Sequence, residues 1–238
     1  MRAPLRIAAV AALAVALVAC AGRKEKGEPP AKLVEFEPTL AIDKVWSEKV
    51  GGKSERLRLG LRPATDGARI FAGAYDGQIA SFDAATGDKV WSVKTNLPLT
   101  AGPGFGDGLL AFGTADGDLL AVDAATGEER WREPIGSEVL AAPAIGSGVV
   151  VVRTVDGRLR GFSAANGSMV WSAEQNLPTL TLRGNTAPRV SGPLVVSGFN
   201  NGRVAAYEVA SGDPAWEVAI ANPTGRSELE RLVDVSAG

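Results

Sequence analysis

Few side chains in this sequence are of the types that carry out catalysis or hold metal ions. The 238 residues include no histidine, which removes the commonest general base, the commonest zinc ligand and every Ser–His or Cys–His pair. The single cysteine, Cys20, excludes an intrachain disulfide and a cysteine metal cluster. A formal charge of −2 gives no electrostatic case for nucleic acid as a partner. Carboxylate chemistry remains open, but turns account for the aspartates that stand out by their spacing.

Cys20 occupies a position that points to lipid modification. Arg2 and Arg6 precede an apolar run over residues 7–18. The run is too short to span a bilayer and fits a secretory signal peptide. The run ends in Leu17-Val18-Ala19-Cys20, which resembles a bacterial lipobox. Such a signal is cut before the cysteine, which receives diacylglycerol and an acyl chain such as palmitate. An uncleaved anchor and an ordinary signal peptide with a chance cysteine are the alternatives.

The residues after Cys20 indicate where the anchor would reside. Ala21 follows the cysteine, at the position where an aspartate would resemble an inner-membrane retention signal. We therefore expect the anchor to lie in the outer membrane, with the folded part of the chain facing the periplasm. Two or more acyl chains give a stable anchor, whereas one gives only marginal membrane binding. Residues 21–32 have two prolines and no apolar period, which is typical of a flexible tether.

The rest of the chain is an internal repeat marked by tryptophan. The five tryptophans are spaced by 45, 40, 40 and 45 residues: Trp46, Trp91, Trp131, Trp171 and Trp216. Each of the last four follows a turn dipeptide by fifteen residues: Asp76-Gly77, Asp116-Gly117, Asp156-Gly157 and Asn201-Gly202. Each also follows a glycine by four residues: Gly87, Gly127, Gly167 and Gly212. Four copies in one register indicate four equivalent structural units.

The copy around Trp131 shows the expected unit. Strands are predicted over residues 109–114, 118–123 and 128–133, and the stretch 139–145 supplies a strand for the next unit. Asp116-Gly117 between the first two strands is a strong hairpin signal. About four strands per 40–45 residues are typical of a β-propeller blade. We therefore predict an all-β propeller of four-stranded antiparallel blades.

The tryptophans have a structural interpretation in such a fold. Each buries roughly 150–250 Å² and can supply much of the contact between neighbouring blades. A row of stacking platforms for sugars or bases is the alternative. The fixed register between indoles and turns favours the structural role, which we predict for all five tryptophans.

Residues Ala121 to Trp131 resemble the tryptophan-docking motif of pyrroloquinoline-quinone-type propellers. The pattern is alanine, any residue, aspartate, two residues, threonine-glycine, three residues and tryptophan. Other copies depart from it, because Ser81 and Gly161 replace the alanine and Asn166 and Ser211 replace the threonine. The motif marks a superfamily and not an activity.

Two longer segments resemble the outer-membrane protein assembly factor family BamB. They are residues 177–188, Leu-Pro-Thr-Leu-Thr-Leu-Arg-Gly-Asn-Thr-Ala-Pro, and residues 224–235, Thr-Gly-Arg-Ser-Glu-Leu-Glu-Arg-Leu-Val-Asp-Val. The resemblance implies an eight-bladed propeller lipoprotein that binds BamA and the other subunits of the Bam complex and helps to insert β-barrel proteins. It implies no cofactor and no catalysis, and it leaves unfolded outer-membrane proteins as possible further partners.

The resemblance also implies which residues bind the partner. Leu180, Leu182 and Arg183 match one contact loop of the family, and Asp234 matches one of two acidic residues in the other. Ser236 stands where the second aspartate is expected, which weakens that half of the site. The first loop also stands out by length, because Trp171 and Asn201 are 30 residues apart and the two preceding copies have 25. A loop that packs on its own blade is the alternative, and the charged connection 47–75 is equally long.

Chain length sets the number of blades. We expect a signal peptide over residues 1–19, an anchor and tether over 20–32, and a partial β-propeller over 33–238. This length suits about four complete blades plus terminal strands of a probable eight-bladed parent, with a stray strand within residues 33–50. An open arc with unpaired edges is the expected result, and closure into a small ring is the competing one.

Two other functions compete with the assembly scaffold. A pyrroloquinoline-quinone-dependent dehydrogenase would share the docking motif, but such enzymes carry calcium ligands and often adjacent cysteines. The sequence has one cysteine and no evident calcium loop. A generic cell-envelope propeller that binds a different protein is the other possibility, and crosslinking in intact cells separates it from the scaffold.

Overall fold

The regular elements of the chain are all β-strands in the part that the structure describes. The computed structural model describes residues 40, 42–52, 59–175, 186–222, 224 and 235. Nearly all of them belong to one compact unit, Lys44–Gly238, and a separate unit, Met1–Asp43, contributes three. No helix in the described residues has the length and apolarity needed to cross a membrane.

Four sheets of four strands follow one another along the chain, and we call them blades 1 to 4. A short strand, β1 (Gly60–Leu61), precedes them. Blade 1 contains β2 (Ala64–Thr65), β3 (Arg69–Gly73), β4 (Gln78–Asp83) and β5 (Lys89–Lys94). Blade 2 contains β6 (Leu99–Gly106), β7 (Leu109–Thr114), β8 (Asp118–Asp123) and β9 (Glu129–Pro134). Blade 3 contains β10 (Ala144–Gly146), β11 (Val149–Arg153), β12 (Arg158–Ser163) and β13 (Met169–Glu174). Blade 4 contains β14 (Arg189–Ser191), β15 (Leu194–Gly198), β16 (Arg203–Glu208) and β17 (Pro214–Ala219).

Each blade is an antiparallel meander, so the predicted fold class is confirmed. The third and fourth strands of every blade share a bulge at one register position, for instance between Ala121 and Val122. Parallel pairing occurs once among the described strands, where β1 adds to β6 at the edge of blade 2.

The predicted strands of blade 2 agree closely with the structure. Strands β7 and β8 match the predicted ranges, and β9 begins and ends one residue later. The strand expected over 139–145 is shorter, because only Ala144–Gly146 joins a sheet while Val139 forms an isolated bridge to Thr154.

The stray strand expected within residues 33–50 is not formed in its described part. Residues 42–50 have no strand structure, because no neighbouring strand of the described chain pairs with them. Residues 33–39 lie outside the described residues. The terminal strand that the structure does show is β1.

The apolar core lies between the blades and not inside one central cluster. Phe71 and Ile79 of blade 1 pack with Leu110 and Phe112 of blade 2. The equivalent cluster between blades 2 and 3 includes Trp131, and the one between blades 3 and 4 includes Trp171, Val195 and Tyr207. Burying one such side chain stabilises the fold by roughly 1.5–3 kcal/mol. Each blade therefore depends on its neighbour for stability, and we call each interface a seam.

Aspartates close the turns that precede the outer strands. The Asp123 carboxylate accepts hydrogen bonds from the backbone N–H groups of Ala125 and Thr126 at 2.8 and 3.1 Å. These bonds, the first of them most strongly, and the nearby Arg130 hold the pKa of Asp123 below its usual value of 3.8, while desolvation opposes the shift. In blade 1, the N–H groups of Thr86 and Ala85 lower the pKa of Asp83 in the same way.

This geometry predicts a loss of stability in acid. A carboxyl group with a depressed folded pKa stabilises the fold above its unfolded value, near 3.8, and loses that contribution as pH falls through the lower folded pKa. Urea unfolding of the double variant Asp83→Asn/Asp123→Asn, measured from pH 6 downward, should give a flatter pH dependence than the wild type. Asparagine keeps an acceptor oxygen, so the turns remain. An unchanged slope would contradict the assignment.

Candidate partner-binding surface

The seams are closed by tryptophan hydrogen bonds that repeat along the chain. The indole N–H of Trp131 donates to the backbone oxygen of Ala164 in the next blade at 2.9 Å. Three other tryptophans make the equivalent bond to the equivalent turn: Trp46 to Ala84 at 3.0 Å, Trp91 to Ala124 at 3.2 Å, and Trp171 to Val209 at 2.8 Å. Each indole therefore reaches forward to a turn in the following copy of the repeat.

The glycine of each turn is required by this docking. Gly167 has φ +77°, and a Cβ built there would lie 2.7 Å from Cε3 of the Trp131 ring. Gly127 against Trp91, Gly87 against Trp46 and Gly212 against Trp171 show the same positive φ and the same close approach. Each turn glycine therefore contacts the tryptophan of the preceding copy of the repeat, and not the tryptophan that follows it by four residues in the sequence.

Trp216 differs from the other four. It is 44% exposed, whereas Trp131 and Trp171 are 8% and 7% exposed. Its indole N–H has no acceptor among the described residues. The residues of β17 are exposed along the whole strand. In the described part of the chain, Trp216 therefore lies on the surface and not in a seam.

The residues expected to contact a partner are not among those that the structure describes. Leu180, Leu182 and Arg183 lie within 176–185, and Asp234 and Ser236 lie within the segments 225–234 and 236–238. Cys20 is also outside the described residues. The structure does describe the flanks of both loops, namely Gln175, Thr186, Thr224 and Val235.

The flanks of the two loops meet at one place on blade 4. The hydroxyl of Thr186, which ends the first loop, donates to the backbone oxygen of Val235 at 3.1 Å. The N–H of Val235 donates in turn to the oxygen of Phe199, in the turn between β15 and β16, at 3.4 Å. Gly198 allows this approach, because a Cβ there would lie 2.4 Å from the Val235 oxygen. The fold thus brings together two segments that are 49 residues apart in sequence.

A polar network holds the other flank of the first loop. The side-chain amide of Gln175 donates to the hydroxyl of Tyr207 at 2.7 Å and to the carboxylate of Glu217 at 2.9 Å. Arg203 also bonds Glu217, and the Asn201 amide donates to Gln175 at 3.5 Å. The Gln175 hydrogen bond first, and Arg203 next, lower the pKa of Glu217 against the opposing effect of desolvation. This network ties the end of β13 to blade 4.

A buried arginine lies beneath the same turn. Arg153 at the end of β11 is 6% exposed, bonds the side chain of Asn200, and stacks its guanidinium 5.5 Å from the Phe199 ring centre. The turn that receives Val235 is therefore held from blade 3 as well. No spacing in the sequence marks Gln175, Arg153 or Glu217 as supporting residues, because their partners lie on other strands.

A cavity of about 450 Å³ lies where the first strands of the four blades approach one another. One proline within or immediately before the first strand of each blade lines it, and the sequence shows these prolines at spacings of 40, 40 and 45 residues: Pro63, Pro103, Pro143 and Pro188. Proline has no N–H, so these edges offer fewer donors to another strand. The described residues include no cluster of three acidic or cysteine side chains suited to a metal ion.

Four-stranded blades that dock on one another through tryptophan and a turn glycine define the class of protein. The chain is a β-propeller built of pyrroloquinoline-quinone-type repeats. A family model described as outer membrane protein assembly factor BamB matches residues 43–99 and 75–238. The chain belongs to this BamB family.

Relatives with the same description resemble nearly the whole chain. The outer membrane protein assembly factor BamB of Pseudomonas aeruginosa is 50% identical over 231 residues, which are 97% of this chain and 61% of that protein. The chain therefore spans about three-fifths of the length of this relative.

Solved structures agree on the fold. The crystal structure of BamB from Moraxella catarrhalis superimposes with a TM-score of 0.70 at 27% identity, covering 79% of this chain and 57% of that one. A quinohemoprotein alcohol dehydrogenase from Comamonas testosteroni gives a TM-score of 0.54 at 16% identity, covering 68% of this chain and 34% of that one. The second likeness shows the shared blade architecture alone.

Proposed function

We propose that this chain is a non-catalytic lipoprotein scaffold of the machinery that assembles β-barrel proteins in the outer membrane. The observation that carries the proposal is the contact of Thr186 with Val235, which places the flanks of both family contact loops side by side. The absence of histidine and the single cysteine also favour a binding role over catalysis.

The two loops would form one surface for BamA. Leu180 and Leu182 would bury apolar area against the partner, and Arg183 would donate to its carboxylates or backbone oxygens, a role for which arginine is enriched at interfaces. Asp234 would offer an acceptor beside them. The hydrogen bonds of Gln175 and Val235 support the proposal, because they attach the described flanks of both loops to blade 4.

The proposal includes a site of action. Acylation of Cys20 would hold the propeller at the outer membrane on its periplasmic side, and the tether 20–32 would let it reach BamA and the other subunits of the complex. Unfolded outer-membrane proteins are further candidate partners. The signal peptide over 1–19 would be removed during export.

Alanine replacement of the first loop tests the proposal. The triple variant Leu180→Ala/Leu182→Ala/Arg183→Ala should weaken the retention of BamA in a pull-down by at least about tenfold, because it removes the apolar area of two leucines together with an arginine, a residue enriched among those that dominate interface energies. Retained binding would contradict the assignment of the loop.

A matched control separates the effect of the loop from a general effect of losing two apolar side chains and an arginine. Val90→Ala/Met169→Ala/Arg130→Ala likewise removes two apolar side chains and one arginine, here from exposed positions on the outer strands of blades 1 to 3. It should leave BamA binding unchanged. Crosslinking in intact cells then distinguishes this partner from another protein of the cell envelope.

A further inference from the structure

One position in the described blades breaks the pattern of the repeat. Opposite the second residue of the third strand, three blades have a glycine and blade 3 has an arginine: Gly73, Gly113, Arg153 and Gly198. Close packing explains the glycine, because a Cβ at Gly113 would lie 2.4 Å from the Cβ of Val139. The blade architecture by itself therefore does not account for Arg153. The sequence shows this departure, and the structure shows what the arginine contacts.

The partners of Arg153 depart from the repeat as well. The guanidinium bonds the side chain of Asn200 and lies 5.5 Å from the ring centre of Phe199, and all three residues are buried. Phe199 and Asn200 begin the hairpin turn between β15 and β16, where the other blades have different residue pairs: Ala74-Tyr75, Thr114-Ala115 and Thr154-Val155. Burying a charged group costs free energy that its contacts must offset. Three matched departures across one seam therefore indicate a requirement of this seam and not of the blades in general.

The turn over residues 199–202, which we call the junction turn, is also where the flanks of the two loops meet. The backbone oxygen of Phe199 accepts the N–H of Val235 at 3.4 Å, and the amide of Asn201 donates to Gln175 at 3.5 Å. Thr186 bonds the oxygen of Val235 at 3.1 Å. Three of the four described flanks are therefore attached to the junction turn, either directly or through Val235.

We propose that Arg153 is a positioning residue of the two-loop surface, an inference that rests on the proposed function of that surface in binding BamA. Its guanidinium fixes the junction turn from blade 3, and the junction turn fixes the flanks of both loops. At 6% exposure Arg153 is too buried to contact the partner itself. Arginine suits this role because the edge of its flat guanidinium donates to an amide oxygen while its face lies against a ring, whereas a lysine ammonium is a compact charge.

Hydrogen exchange of the full-length chain in detergent, followed by mass spectrometry, tests whether Arg153 holds the junction turn. Arg153→Met keeps the apolar part of the side chain and removes the guanidinium. It should raise the exchange rate of a peptide that contains Val235 by at least about tenfold relative to a peptide of β8, since hydrogen bonds to charged groups contribute that much. Native-state exchange reports such local opening. Asn200→Ala, which removes the acceptor and leaves the guanidinium, should have the same effect and replaces Arg153→Met if that variant does not fold.

A neighbouring residue supplies the control for a general loss of stability. Val152 precedes Arg153 on β11, is fully buried, and packs in the cluster between blades 2 and 3. Val152→Ala should leave the ratio of the two exchange rates unchanged. An unchanged rate at Val235 in both Arg153→Met and Asn200→Ala would overturn the proposal, and so would the same rise in Val152→Ala.

Retention of BamA by the same variants tests the consequence for binding. Arg153→Met and Asn200→Ala should each weaken retention by about tenfold although Leu180, Leu182 and Arg183 are unchanged, and the double variant should lose no more than either alone because both remove one bond. Full retention by variants whose exchange has risen would show a merely structural role and overturn the proposal. Failure of the wild-type chain to retain BamA would instead contradict the proposed function, and the exchange comparison would then decide alone whether Arg153 positions the loops.

Discussion

Replacement of Trp131 by alanine is expected to lower the free energy of unfolding by about 3–5 kcal/mol, the usual cost of truncating a buried tryptophan. The indole is 8% exposed, packs in the cluster between blades 2 and 3, and bonds Ala164 at 2.9 Å. Its removal leaves a cavity in the seam and an unpaired carbonyl oxygen. Urea unfolding of the purified variant followed by circular dichroism provides the measurement.

Two comparisons make this expectation specific. Trp216→Ala should cost less than about 1 kcal/mol, because surface substitutions have small effects and this indole is 44% exposed. Trp131→Phe keeps most of the apolar area but loses the hydrogen bond, which contributes about 1 kcal/mol. Equal losses for Trp131→Ala and Trp216→Ala would show that seam burial does not determine the stability of the chain.

Alanine at Gly167 is expected to cost about 1–3 kcal/mol more than alanine at Gly148, since overpacking carries a penalty of that size. Both glycines have positive φ, +77° and +74°, so both variants carry the same backbone strain. A Cβ at Gly167 would lie 2.7 Å from the Trp131 ring, while a Cβ at Gly148 would meet nothing within 4 Å. The difference between their unfolding free energies therefore isolates the contact with the indole.

The two predictions are linked through one contact. In the Trp131→Ala background, Gly167→Ala should cost only the strain of its positive φ, because the ring that it would meet is absent. The double variant should then be more stable than the sum of the single losses predicts, by about the overpacking penalty of 1–3 kcal/mol. Strict additivity would contradict docking of Trp131 on Gly167.

Seam stability bears on the proposed binding surface. The first loop leaves blade 3, whereas the flank of the second loop at Val235 bonds a turn of blade 4. Trp171 and the Gln175 network join these two blades. A variant that loosens this seam should therefore weaken partner binding even when the contact residues are unchanged. For this reason the unfolding free energy of the loop variants must be measured together with their pull-down.

The blades are predictable from the sequence because the pairing of their strands is local. Strands β7 and β8 are apolar runs on either side of Asp116-Gly117, and a hairpin needs only neighbouring residues to form. The prediction was less accurate for residues 139–145, where pairing depends on β11, and for 42–50, where no partner strand is present in the described chain. A β-prone sequence such as KVWSEK does not become a strand without an edge to pair with.

The repeat, the turn positions and the family were determined by the sequence itself, because hairpin signals and the tryptophan–glycine spacing lie within short stretches of the chain. Only the tertiary structure decided which tryptophan meets which glycine, that Trp216 lies exposed, and that Thr186 contacts Val235 across 49 residues. These contacts join residues of different blades, and their geometry follows from how whole sheets stack. The stacking is a sum of many apolar contacts at each seam, which no single motif in the sequence encodes.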